Sequence, residues 1–410
     1  MINEAIVKKL ISQGRTMLQA VTPLNYTPQH ERFIEEAKKG RFINPVFYYA
    51  ENYVPTDNDE LVKALQDSQM KESPRDAFVT GLVIQELERI NMIAQVQHSI
   101  SVGDDEATNL LLLDYYGGPT SSELIDLAYD IAKGGTVKNE RLEGTQVVLT
   151  ADQAKTFEAK KLDAQKIAAI FQDTLHNYGL KSWSAIVDNS YSAVTVNAAN
   201  SSIHIPTNRE CSQLKTIELI AHEIECHARH NSNCAWLLTN FFNVPTGVAK
   251  ILVSKKDSTA TEGFAKMSDA IIDKKCRTKI PGTPKPWYIL AALLAADGIS
   301  FAEVAEYLYE AGQDIESAWK YTYRVFRGCT DVAHNIHKYA RLADRCYLEG
   351  YVYAITASEN NSATFDYAKF NENELTEIEK IIGTPLSNIC PAYPYLGIAE
   401  QMVDKITATS

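Results

Sequence analysis

Ala221-His222-Glu223-Ile224-Glu225-Cys226-His227 is the stretch on which the reading of this chain turns. In the familiar pattern H-E-x-x-H, two histidines four residues apart lie about 40° apart around a helix, so both reach one metal. The glutamate beside them handles a water. Here there is one residue more, H-E-x-x-x-H. On a regular helix, five steps of about 100° put His222 and His227 about 140° apart, too far to share an ion. The spacing therefore predicts that the helix absorbs a surplus residue between 222 and 227. The simplest form is a π-bulge, which tends to occur at functional sites.

A regular helix would offer rivals. Cys226, four residues after His222, would share its face and could pair with it on zinc. Glu218, four residues before, would offer a carboxylate–histidine pair. The plainest alternative is a surface helix that happens to carry two of the nine histidines. Against it, Leu214, Ile217, Ala221, Ile224 and Ala228 recur at steps of three and four, a core-facing stripe. Thr207-x-x-Glu210 reads as a capping box at the start of this helix.

Working upstream, Ile203-His204-Ile205 alternates and stops at Pro206. Ser184–Asp188 and Ala193–Val196 are short and β-branched, and Asn197–Ser202 is turn-rich. These predict strands of a small sheet with a hairpin across the turn. Residues 151–180 read as one helix ending near Gly179. Residues 1–150 read as helical. Thr27-Pro28 starts one helix, and the stretch from Pro74 to about His98 forms a long buried one. Gly117-Gly118-Pro119 and Gly134-Gly135 are breaks. Downstream, the rigid Pro281–Pro286 segment separates two helical regions. Helices from about Ser300 and Ile315 lead into Arg324-Val-Phe-Arg-Gly328, and a last helix falls near 372–382. Helices, a small sheet, then helices again make an α+β, mainly helical chain. It divides into an N-terminal helical region, 1–150, and a domain 151–410 with the small sheet and a C-terminal helical part.

A catalytic zinc takes three protein ligands and keeps one position open. Thr259-Ala-Thr-Glu262-Gly-Phe-Ala265 begins a helix in which Glu262 could be the third. Thr259-x-x-Glu262 is also a good capping box, so the residues alone leave Glu262 open between ligand and cap.

The H-E-I-x-x-H core followed by T-E-G-F-A resembles the flavohaemoglobin expression-modulating family named for its Q-E-G-L-A motif. The eukaryotic relatives of that family are the microtubule-associated tyrosine carboxypeptidases. Asn44-Pro45-Val-Phe-Tyr48, Arg324-Val-Phe-Arg-Gly328 and Tyr347-Leu-Glu-Gly350 add agreement in the expected order. Thr261 and Phe264 stand where the family has Gln and Leu. The resemblance implies a gluzincin-like zinc metallopeptidase, with the small sheet preceding the metal-binding helix. It makes His222, His227 and Glu262 the zinc ligands and Glu223 the catalytic base.

The expected activity is hydrolysis of peptide or protein C-termini. Zinc activates a water, and Glu223 moves its proton. Arg324 and Arg327 are candidates to meet a terminal carboxylate, with a structural ion pair or helix cap as the competing role. Tyr347 is a further substrate-contact candidate. The strand Ile203–Ile205 could pair with extended substrate along its edge. The alternative is a non-catalytic, zinc-containing regulator or binding module on the same fold, although a purely structural site has no need of Glu223.

Composition narrows the partners. The chain of 410 residues carries a net charge of −12 and shows no basic stripe, so no nucleic-acid partner is expected. The longest apolar run, Trp287–Ala296, is too short to span a bilayer, so no membrane partner is expected. MINEAIVKKLISQG lacks signal-peptide features and reads as a short amphipathic helix. Seven cysteines, an odd number without a C-x-x-C pair, suggest reduced thiols in a cytoplasmic protein.

Overall fold

Local signals in the chain set several helix starts. Ser300 and Glu303 form a reciprocal capping box at the head of Phe301–Glu310. Asp314 caps Ile315–Phe326, and Asn371 with Glu374 caps Glu372–Ile382. Each cap satisfies backbone N–H groups that the first helical turn leaves unpaired. The structure, a computed structural model, describes residues 17–50, 58–135, 137, 143–191, 193–254, 259–276, 286–359 and 365–408. The helix expected at the N-terminus and residues 281–285 of the proline segment lie outside them.

Among the described residues, the chain is mainly helical with two small sheets. It forms two units. One comprises 1–73, 80–136 and 285–345; the other comprises 74–79, 137–284 and 346–410.

The first unit is held by aromatic packing. Trp319 lies 4.9 Å from Phe33 and 5.0 Å from Phe301 by ring centroids, and all three are fully buried. The Asn44–Tyr48 motif works by backbone capture: Asn44 Oδ1 accepts from the N–H of Ala302 at 2.8 Å. The neighbouring Tyr49 hydroxyl accepts from Gly328 N (3.0 Å) and donates to the Cys329 carbonyl (3.2 Å). Gly328 sits at φ +94°, and a Cβ there would lie 2.5 Å from the Tyr339 hydroxyl. Only glycine fits that corner of the Arg324–Gly328 motif.

In the second unit, β1 (Lys161–Asp163) pairs antiparallel with β5 (Glu210–Ser212). A three-stranded sheet has the order β2 (Ser184–Asp188), β4 (Ser202–Pro206), β3 (Thr195–Asn197). β2 runs parallel to β4, and β3 closes the expected hairpin with Asn197 opposite Ser202. Ile203 and Ile205 share one face of β4 because side chains alternate along a strand. They join Phe171 and Leu175 of Ala164–Asn177, and Ile217, Ile220 and Ile224, in one buried cluster.

Three expectations are corrected here. Residues 151–180 are two helices, Ala151–Ala159 and Ala164–Asn177, interrupted by β1. The second restarts because the Asp163 side chain accepts from Lys166 N. Thr207-x-x-Glu210 is not the cap of the next helix: Glu210 opens β5, and Ser212 caps Gln213–Leu219 through Lys215 N. Finally, β4 pairs with β2 along its length and with β3 from Ser202 to His204, so it is the central strand and not an edge open to a substrate strand. The edge positions belong to β2 and β3. Among the described residues, no helix is long and apolar enough to cross a membrane.

Candidate metal centre

The key stretch is part of one continuous rod. Gln213–Leu219 is α-helical, Ile220–Ala228 is a π-helix, and Arg229–Phe242 is α-helical again. The widened segment spans both histidines. Its i→i+5 hydrogen bonds bring residue 227 back over residue 222, which absorbs the surplus residue. Side chains from the next turn brace it: Arg229 Nε donates to the Glu225 carbonyl at 2.7 Å, and Asn231 Nδ2 donates to the His227 carbonyl at 2.8 Å. Asn243, left-handed at φ 56°, ends the rod.

The two imidazoles converge, with ring centroids 4.9 Å apart. Glu262 reaches them from the helix Thr259–Cys276. One carboxylate oxygen is 3.7 Å from His222 Nε2, and the other is 3.5 Å from His227 Nε2. The Glu262 carboxylate thus faces both histidines. Glu223 is buried alongside, and its ligand atom and those of the two histidines lie within 4.8 Å of one another. For a tetrahedral zinc with bonds of about 2.0–2.1 Å, ligand atoms stand about 3.3–3.4 Å apart. Each Glu262 oxygen lies a few tenths of an ångström beyond that from its own histidine, and two imidazoles with a carboxylate are a donor set that suits the ion.

Gly263, next to Glu262 in sequence, lies against a neighbouring helix. A Cβ on Gly263 would lie 1.8 Å from the carbonyl oxygen of Gly350, in the helix Cys346–Glu359. A Cβ on Gly350 would lie 2.2 Å from the Thr259 carbonyl. The two helices therefore touch backbone to backbone, and the E-G and L-x-G glycines are a packing pair.

The rival ligands point elsewhere. Cys226 lies in a second apolar cluster with Phe264 and Tyr351, and its thiol contacts the Ser268 hydroxyl at 3.4 Å. Burial pushes that thiol up to about 12, so it stays protonated. Glu218 pairs with Lys215 at 2.6 Å.

Behind the imidazoles stands a carboxylate absent from the sequence reading. His222 Nδ1 lies 3.1 Å and 3.3 Å from the two oxygens of Asp269, and Lys266 Nζ lies 3.0 Å from one of them. Glu262, Lys266 and Asp269 are at i, i+4 and i+7, one stripe of a helix. That spacing was the available signal. Tyr347 belongs to the same unit, with the Lys266 ammonium 5.4 Å above its ring. Arg324 and Arg327 belong to the other unit. There Arg324 pairs with Asp344 at 2.8 Å and donates to the Tyr288 hydroxyl, while Arg327 stacks over Tyr323.

Charge separates the two glutamates. Burial alone would raise Glu262, but the hydrogen bond from His227 and the charges of His222 and Lys266 hold it down to about 2. Glu223 is pushed up by burial against the opposing pull of both histidines. Burial would lower His222, but Asp269, Glu223 and Glu262 raise it to about 9. Burial and neighbouring charge thus push the two carboxylates in opposite directions.

No family model matches the chain, and no curated protein matches it. A solved structure named "BsuCP Crystal Structure" aligns at 13% identity over 98% of this chain and 96% of that one, with a TM-score of 0.31. An overlap that loose carries no argument about fold or activity. The functional reading rests on the residues of the site.

Proposed function

We propose that this chain is a zinc-dependent peptidase of carboxypeptidase type, acting on the C-termini of peptides or proteins. The observation that carries the reading is the Glu262 carboxylate facing both histidine Nε2 atoms, with Glu223 buried alongside them. That leaves Glu223 over for proton transfer. When bound, zinc supplies a Lewis acid that acidifies water and polarises a carbonyl. Glu223 takes the water's proton on its carboxylate and returns it to the leaving amine. His222, His227 and Glu262 would hold the ion. The motif resemblance supports trimming of C-termini and a tyrosine-type preference.

The test pairs elemental analysis with mass spectrometry of peptides that differ in their last residue. The wild type is expected to hold one zinc per chain and to shorten peptides from the C-terminus. Glu223→Ala is expected to keep its zinc and lose about 10²–10⁴-fold in turnover, the usual weight of general acid–base catalysis. A wild type without zinc, or an unimpaired Glu223→Ala enzyme, defeats the proposal. Cleavage inside the peptides would leave the peptidase and remove the carboxypeptidase.

A further inference from the structure

We infer that Asp269 is a positioning residue for the metal centre: its carboxylate holds His222 as the Nδ1–H tautomer and so presents Nε2 toward Glu262. The inference rests on the zinc reading above and extends it to a residue that touches no substrate. Both Asp269 oxygens lie within hydrogen-bond reach of Nδ1, at 3.1 and 3.3 Å. The opposite ring nitrogen, Nε2, is the one that faces Glu262. An imidazole that donates from one nitrogen leaves the other's lone pair free for a metal.

The arrangement is built into a single helix. Glu262 and Asp269 lie two turns apart on one face of Thr259–Cys276, so ligand and orienting group move as one body. Lys266, between them on the same face, pairs with Asp269 at 3.0 Å and offsets its charge. The two histidines are not equivalent. Among the described residues, His227 has an ion-pair contact with Glu262 only, whereas His222 has one carboxylate on each side. The centre thus has one imidazole fixed through its far nitrogen and one for which, among the described residues, no such second carboxylate is recorded.

The competing role for Asp269 is that of an i,i+3 partner that merely stabilises its helix through Lys266. Zinc affinity separates the two. Wild type, Asp269→Asn, Asp269→Ala, Lys266→Met and His227→Ala are titrated with zinc against a competing chelator, and the melting of each metal-free protein is recorded. Asp269→Ala is expected to weaken zinc about 10–100-fold, the usual effect of losing such a partner. Asp269→Asn should lose less, because its amide oxygen still accepts from Nδ1–H. Lys266→Met, which removes the helix ion pair but leaves the Asp269–His222 contact, should lose less zinc affinity than Asp269→Ala. His227→Ala should lose it.

A wild type that binds zinc beside an Asp269→Ala variant that binds it equally well overturns this inference and leaves the zinc reading intact. A wild type that binds none overturns both. Should the alanine variant fail to fold, ¹⁵N spectra of the zinc-loaded wild type decide. They are expected to show a slowly exchanging proton on His222 Nδ1, and ligation through that nitrogen instead would end the proposal.

Discussion

At the residue scale, identity at the candidate metal centre follows from what each side chain faces, and two positions make this testable. Cys226 is one residue from His227, yet its thiol is turned into an apolar cluster and kept protonated by burial. Cys226→Ala is expected to retain one zinc per chain by elemental analysis, at the modest stability loss of a small buried group. A metal-free Cys226→Ala protein would return the thiol to the ligand set. Gly263 follows the same logic in the backbone. Its missing Cβ lets one helix rest against Gly350, and the neighbouring Glu262 rides on that contact. Gly263→Ala must separate the helices, with a loss of about 1–3 kcal/mol, the range for overpacking. Its zinc occupancy should fall as well. Calorimetry and metal content together check this, and wild-type values for both would show that the helices do not approach so closely.

At the element scale, the π-helix does two things at once. It brings the histidines together, and it ties down the end of the chain. Glu225, fully buried within it, accepts from the backbone N–H of Ile398 at 2.6 Å and of Ala399 at 3.4 Å. These are donors of the first turn of Ile398–Ala408, where a carboxylate suits the helix dipole. Glu225→Ala leaves buried donors without an acceptor and is expected to cost about 1–3 kcal/mol. Hydrogen exchange should quicken across 398–408 more than across 164–177. Uniform exchange rates in that variant would show that the contact does not hold the helix. The surplus residue in H-E-x-x-x-H was legible from arithmetic alone, because angular spacing is local to a helix. The interruption of residues 151–180 was not, because β1 exists through pairing with Glu210–Ser212, about 50 residues away.

At the scale of the whole molecule, the chain returns on itself. The first unit draws Phe33 and Phe47 from its early part, and Phe301, Trp319, Phe326 and Tyr339 from 285–345. A fragment ending at residue 136 lacks the second set. It is expected to show no cooperative unfolding transition by circular dichroism, since most of its buried aromatic core is missing. A sharp transition in that fragment would mean that the early helices build a core of their own. In the full chain, Trp319→Ala should cost about 3–5 kcal/mol by denaturant titration, the range for a large buried aromatic.

The sequence by itself determined what depends on near neighbours. It specified the mainly helical class, the hairpin at Asn197–Ser202, the helices from about Ser300 and near 372–382, and a helix that must widen between His222 and His227. Each is a matter of period, propensity or a hydrogen bond within a few residues. Tertiary structure alone decided that Glu262 turns from its own helix start to face two imidazoles, that Asp269 stands behind one of them, and that β4 is enclosed on both sides. It also gave Arg324 and Arg327 partners in their own unit. Those outcomes depend on which distant surfaces pack together. Packing is selected by the summed fit of many side chains, so no single spacing in the chain encodes it.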